Sequence, residues 1–212
     1  MHFETFIKQV SKIKNLNLPG QTSQFKLSPP FRKELENENK DKMKYAKKAG
    51  VMALFYPKNK ETYLVLILRK TYKGVHSAQV GFPGGRYEEG DKNLEFTALR
   101  ETFEEVGVPI DVVEVLKDMT PLYIPPSNFT VAPFVGITHQ TPNFVKQDDE
   151  VEDVIEVKLT HFLDDTNTTT AKVMTSYNVK LEVPAFTLNG HVVWGATAMM
   201  LSELKDLLKI VL

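Results

Sequence analysis

Gly84-Gly85-Arg86-Tyr87-Glu88-Glu89-Gly90-Asp91, then Lys92 to Leu99, then Arg100-Glu101-Thr102-Phe103-Glu104-Glu105-Val106-Gly107-Val108: this stretch decides the fold. Two glycines after Pro83 let the backbone turn tightly and approach a ligand closely. Lys92 to Val106 holds no Gly or Pro, which predicts an unbroken helix, and Gly107 with Pro109 supplies its stop. Glu101, Glu104 and Glu105 stand at i, i+3 and i+4, so three like charges crowd one face. Leu99, Thr102, Phe103 and Val106 form a stripe predicted to face the core, which leaves the acids to solvent or to a bound cation. A glutamate-rich face is ordinarily a solvated one, and Arg100 with Glu104 makes an ordinary i,i+4 pair. A hard divalent ion is the other resolution, because magnesium shares itself among carboxylates, waters and substrate phosphates.

Phe82-Pro83-Gly84-Gly85, Asp91 and Arg100-Glu101-x-x-Glu104-Glu105-x-Gly107, taken together at this spacing, resemble the Nudix box. Asp91 stands where the motif has its first glutamate, one extra residue precedes Arg100, and Thr102 fills a hydrophobic slot. The insertion falls in the loop, where extra residues are absorbed more readily than in a helix face. The resemblance implies the Nudix fold, an α/β/α sandwich with a mixed β-sheet and a catalytic loop-helix-loop. It also implies hydrolysis of a nucleoside diphosphate linked to another moiety, by attack of water on one phosphorus. Carried onto this chain, it makes Glu101 and Glu105 the principal ligands of Mg2+ or Mn2+. Glu104 becomes a ligand or water-orienting acid, the Gly84 carbonyl a further ligand, and Arg100 the salt-bridging holder of the carboxylates. A carboxylate must accept the proton of the water, and Glu101 and Glu150 are the two candidates.

A chain of 212 residues with 42% hydrophobic content can bury a full core as one domain. Residues 1–48 read as an N-terminal helix and charged arm packed on a Nudix hydrolase domain at 49–212. The net charge of −1, from 26 basic and 27 acidic side chains, points to neither nucleic acid nor an anionic membrane as partner. The absence of cysteine excludes disulfides, thiolate metal sites and a cysteine nucleophile. Met1 to Thr5 lacks a basic segment followed by an apolar run, and no stretch is apolar enough to span a membrane, so a soluble, cytoplasmic protein is expected.

Phe3, Phe6, Ile7, Val10 and Ile13 predict an amphipathic helix to about Lys14, and residues 21–44, with Pro29-Pro30 and the charged run Arg32 to Lys44, read as a surface arm. Ala49 to Tyr56 and Thr62 to Arg69 read as a hairpin, and Gln79 to Phe82 as a short strand feeding the glycine turn. Val112 to Tyr123 and Val131 to His139 read as strands split by a Pro-rich break. Asp148 to Asp153 is a second acidic cluster opening the strand Val154 to Leu159. By default such a loop is solvated; the resemblance makes Glu150 its functional carboxylate, with Glu152 second. Ala171 to Tyr177, Lys180 to Phe186 and His191 to Val193 complete the strands, with Asn189-Gly190 as a hairpin turn. Trp194 is read as a packing anchor ahead of a final helix, Ala196 to Leu208. The amphipathic ends can support a homodimer.

Upstream of the box, Arg69 to Gly85, with His76-x-x-Gln79-Val80 leading to Phe82-Pro83-Gly84-Gly85, is similar to the signature of coenzyme A pyrophosphatases, as are Trp194-Gly-Ala-Thr-Ala198 and Pro125 to Val135. Lys70, Gly74 and Ala78 depart from it. This resemblance implies a coenzyme A substrate, cleaved to 4′-phosphopantetheine and adenosine 3′,5′-bisphosphate. A reader of that ligand needs basic groups near the box, and Arg69, Lys70, Lys73, His76 and Arg86 are placed to serve. ADP-ribose, NADH or an oxidised nucleotide are the rival substrates, and a non-catalytic nucleotide-binding module is the rival of a different class.

Overall fold

The computed structural model describes residues 1–70, 79–175 and 179–212. Helix α1 (Phe3–Val10) buries Phe3, Phe6 and Val10 and runs on as a 3₁₀ turn, Ser11–Asn15. Short helices α2 (Gln21–Gln24), α3 (Arg32–Glu38) and α4 (Lys40–Met43) follow. Strands β1 (Lys47–Lys58) and β2 (Glu61–Arg69) form the expected antiparallel hairpin, turning through Asn59 and Lys60 with φ of 51° and 66°. Next come β3 (Val80–Gly81), β4 (Gly84–Arg86) and helix α5 (Leu94–Val106). Strands β5 (Glu114–Asp118), β6 (Leu122–Ile124), β7 (Phe129–Ile137) and β8 (Val151–Lys158) precede helix α6 (Leu159–Leu163). Strands β9 (Thr168–Met174), β10 (Lys180–Leu188) and β11 (His191–Trp194) and helix α7 (Gly195–Val211) close the chain.

The main sheet is mixed. Strand β1 lies parallel to β7, while β2 and β4 pair with β1, β3 and β8 with β2, and β5 and β6 with β7, all antiparallel. Alternation along β1 divides the core in two. Met52, Leu54 and Tyr56 pack with Ala98, Leu99 and Val106 of α5 on one face. Ala53 and Phe55 pack with Phe6 of α1 and Leu201, Leu204 and Leu208 of α7 on the other. Helices therefore cover both faces, which is the expected α/β/α arrangement. The apolar stripes of α1 and α7 that suggested a dimer are spent inside this core.

Three features differ from the sequence reading. Val112 to Tyr123 is two strands, because the chain breaks at Met119–Pro121 and β5 and β6 meet different parts of β7. Strands β9, β10 and β11 form a separate antiparallel sheet; residues 176–178, the end of the expected strand Ala171 to Tyr177, lie outside the described residues. The arm is only partly a surface feature. Gln24 is buried and donates to the Thr120 carbonyl at 2.8 Å and to Glu203 at 2.9 Å. Gly20 N–H and the Thr120 hydroxyl reach the same buried Glu203 carboxylate at 3.1 and 2.6 Å. Buried polar groups require partners, so this knot ties the segment before α3 to α7. Among the described residues no helix is long and apolar enough to cross a membrane.

Candidate active site at the Gly84–Gly85 turn

Helix α5 begins at Asn93, whose side chain accepts the Phe96 N–H at 2.8 Å, and ends at Gly107 with φ of 76°. It lies so close to β1 that a Cβ on Gly50 would stand 2.2 Å from the Leu94 carbonyl oxygen and 3.0 Å from the Ala98 nitrogen. Only small side chains fit beneath such an approach. The buried residues of the helix are Thr97, Ala98, Leu99, Thr102, Glu105 and Val106, so Leu99, Thr102 and Val106 of the expected stripe do face the core, and the Thr102 hydroxyl donates to the Ala98 carbonyl at 2.6 Å. Phe103, expected in the core stripe, is instead 50% exposed. The helix is rotated from the position its apolar residues suggest, and that rotation turns Glu105 inward.

Arg100 holds the site together. Its Nε and Nη2 donate to the two oxygens of Asp91 at 2.9 and 3.0 Å, a bidentate grip. Its Nη1 donates to Glu101 at 3.0 Å and Glu104 at 2.8 Å, and its Nη2 also to the Arg86 carbonyl at 3.1 Å. Asp91 further accepts from the Glu88 N–H at 3.0 Å and the Thr97 hydroxyl at 2.8 Å. The guanidinium and these donors hold the Asp91 carboxyl well below the usual carboxylate range.

Glu101 and Glu105 meet at the glycine turn. Glu105, 2% exposed, accepts the Gly84 N–H at 2.8 Å and pairs with Arg69 Nη1 at 3.2 Å. The Glu101 carboxylate lies over Gly85, where a Cβ would stand 2.4 Å from it. Burial pushes the Glu105 carboxyl up to about 7, against Arg69 and the Gly84 N–H, with Glu101 and Glu150 adding to the rise. Burial likewise raises Glu101, with Arg100 opposing and Glu104 and Glu150 adding. Glu150 is half exposed, its carboxylate 4.0 Å from Arg69 Nη2 and its carbonyl accepting the Lys70 N–H at 2.9 Å. The loop that carries Glu150 thus reaches the helix acids, and a bulge between Leu68 and Arg69 sets the arginine between them. Glu104 faces outward, 51% exposed, and Glu152 is exposed with no contact to this group. Among the described residues no three His, Asp or Glu side chains stand close enough to share a metal ion. The donor set at the turn is nevertheless all hard oxygen, and the mutual destabilisation of its ionised carboxylates is what a divalent cation relieves.

Arg86 is exposed at the end of β4. Lys73 and His76 lie outside the described residues. Beside the turn opens a cavity of about 380 Å³, bordered by Gly84, Gly85 and Arg86 and by Arg69. Pro29 and Arg32, and Trp194, Thr197 and Met200, also line it. Trp194, expected as a packing anchor, is a half-buried residue on the wall of this cavity. Nothing in the charged run Arg32 to Lys44 singled out Arg32, which alone of its neighbours is buried, at 8% exposure.

Residues 46–177 match the model of the NUDIX domain family. A protein of Yersinia pestis (strain Pestoides F) called uncharacterized Nudix hydrolase NudL is 39% identical over 99 residues, covering 47% of this chain and 49% of that one. The protein of the same name from Yersinia pseudotuberculosis serotype O:1b matches equally. The matched segment thus spans about half the length of these curated relatives. The crystal structure of a MutT/nudix family protein from Enterococcus faecalis superposes with a TM-score of 0.50 at 17% identity, covering 74% of this chain and 60% of that one. That likeness is one of fold.

Proposed function

Because the chain belongs to the Nudix family, we propose that it is a divalent-metal-dependent pyrophosphohydrolase of a nucleoside diphosphate derivative, and that the derivative is coenzyme A. The observation that carries the reaction is the pairing of Glu101 and Glu105 on the Gly84–Gly85 turn, backed by Arg100 and Asp91. Glu101 and Glu105 with the Gly84 carbonyl would hold Mg2+ or Mn2+, and Glu104, which faces outward, would be the water-orienting acid. A divalent ion held there would supply neutralisation of the diphosphate oxygens and a more nucleophilic water. Arg100 keeps Glu101 and Glu104 oriented, and Asp91 keeps Arg100 oriented. Arg69 and Arg86 border the Gly84–Gly85 turn, where the diphosphate would lie beside the cavity, and would supply donors to its oxygens. Glu150 reaches the site from the far side of Arg69 with a half-exposed carboxylate, and it shares with Glu101 the role of accepting the proton of the water. Water adds across one P–O–P linkage, its hydroxyl going to one phosphorus and its proton to the departing phosphate. With coenzyme A the products are 4′-phosphopantetheine and adenosine 3′,5′-bisphosphate.

The substrate assignment is supported by the Arg69-to-Gly85 and Trp194-to-Ala198 signatures, of which Arg69, Gln79, Val80, Phe82, Gly84, Gly85, Trp194 and Thr197 border the cavity. The test is product analysis on coenzyme A, ADP-ribose, NADH and nucleoside triphosphates with Mg2+ or Mn2+. Coenzyme A cleaved in preference is the expected result, and coenzyme A untouched while another diphosphate is cleaved refutes the substrate. Turnover that survives both a chelator and Glu105→Gln refutes the reaction.

A further inference from the structure

The cavity beside the turn has walls of two origins. Gly84, Gly85 and Arg86 belong to the segment that matches the family model, whereas Pro29, Arg32, Trp194 and Met200 lie outside residues 46–177. Those outer walls come from the N-terminal segment and from the C-terminal sheet and helix, outside the segment that matches the family model.

Three arginines border the cavity, and their charges are not equally available. Arg32 is buried, pairs with Glu36 at 3.1 Å and donates to the Tyr123 carbonyl. Arg69 is met by Glu105 at 3.2 Å and faces Glu150. Arg86 is exposed and makes no ion pair among the described residues. Much of the remaining surface is apolar, with Val51, Val80, Phe82, Ile124 and Val131 among its residues. An anion drawn inward would leave water for apolar surroundings where the positive charge is already matched, an unfavourable exchange. A neutral group loses little there and covers apolar surface.

We propose that this cavity receives the uncharged, largely apolar arm of the diphosphate substrate, that Pro29, Arg32 and Trp194 select that arm, and that any second anion of the substrate stays outside at Arg86. This rests on the pyrophosphohydrolase reading and adds which part of the ligand is read, and by which residues. Coenzyme A offers two candidates, the pantetheine, which is uncharged, and the adenosine, whose base and ribose are uncharged and whose 3′-phosphate is the second anion held outside at Arg86.

Trp194 is the sole tryptophan of the chain, so its fluorescence reports occupancy directly. The full-length protein is titrated in EDTA with adenosine, with pantetheine and with adenosine 3′,5′-bisphosphate, and hydrolysis of the intact diphosphates is measured separately. A saturable change with adenosine or with pantetheine is expected, and it identifies which arm enters. Ala196→Leu, which fills part of the cavity, weakens that response by about tenfold or more, and Met200→Phe serves the same purpose should Ala196→Leu fold poorly. A response to the bisphosphate with none to either uncharged arm overturns the proposal, as does hydrolysis of a diphosphate that leaves Trp194 unchanged throughout. Binding of an arm by a protein that hydrolyses no diphosphate sinks the reaction and leaves the cavity assignment standing.

Discussion

Replacing Gly85 by alanine should separate chemistry from folding. Gly85 sits in β4 opposite Gly50 of β1 and is not among the residues with positive φ, so alanine meets no backbone strain there. Its new Cβ would lie 2.4 Å from the Glu101 Cδ and Oε2 and 2.5 Å from Oε1, with no backbone atom nearer. Non-bonded contacts of this kind settle at about 3.5 Å or more, so the carboxylate must retreat by about 1 Å. The atoms displaced are the end of a flexible side chain, and alanine also narrows the unfolded ensemble, so stability should change by no more than about 1 kcal/mol. A displacement of about 1 Å in a positioning carboxylate costs on the order of 10²-fold in rate. The assay is kcat/KM on the preferred diphosphate beside a thermal melt of the same preparation. A variant that melts like the parent and retains full turnover would refute the placement of Glu101 in the reaction. One that unfolds would refute the claim that only a side-chain end is displaced.

At Gly50 the opposite outcome is expected. There the added Cβ meets the backbone of α5 at 2.2 Å, so Gly50→Ala should lower stability by about 4 kcal/mol or more, read from denaturant midpoints. Asp91→Asn removes the bidentate partner of Arg100 and should cost about 3 kcal/mol together with most of the activity. Because folding lowers the proton affinity of Asp91, the unfolded chain binds more protons; stability from this carboxyl is present above about pH 3.9 and lost as pH falls below it. Asp91→Asn should therefore show a shallower acid limb in its stability profile, and an unchanged limb would contradict the assignment. Glu203→Ala leaves Gly20 N–H, Gln24 and Thr120 without their acceptor, and should cost about 3 kcal/mol and speed amide exchange across residues 20–27 first.

Much of the fold could be read from periodicity, because β1 and β2 carry long apolar runs and the apolar ends at Phe3 and Ala198 keep helical spacing. What periodicity could not supply was the rotation of α5. Phe103 scores as core and Glu105 as surface on any hydrophobic scale, yet Gly50 admits the helix backbone so closely at Leu94 and Ala98 that Phe103 is left exposed and Glu105 buried. That geometry depends on a residue nearly fifty positions earlier in the chain, and no local pattern contains it. The acids and Arg100 were legible because their spacing is local to one helix. Arg32 was not, and Trp194 was marked only through the resemblance, because their place beside the turn is created where segments far apart in sequence border one cavity.

The departures of the box from its usual form are explained by the same contacts. Aspartate is shorter than glutamate by one methylene, and the extra residue before Arg100 lengthens the path to the helix. The turn from Glu88 to Asp91 fixes the acid ahead of that residue: Asp91 N–H bonds the Glu88 carbonyl at 2.9 Å while its side chain accepts the Glu88 N–H. Folded back in this way, Asp91 is buried against Thr97 and reaches both arms of Arg100 without disturbing Asn93 as the helix cap. Shorter acid and longer loop thus offset each other. Restoring glutamate alone, as Asp91→Glu, should crowd the buried pocket and weaken the Arg100 grip, whereas the same change with Lys92 deleted should recover part of the lost activity. If Asp91→Glu proves as active and as stable as the parent, the two departures are independent and this account of them is wrong.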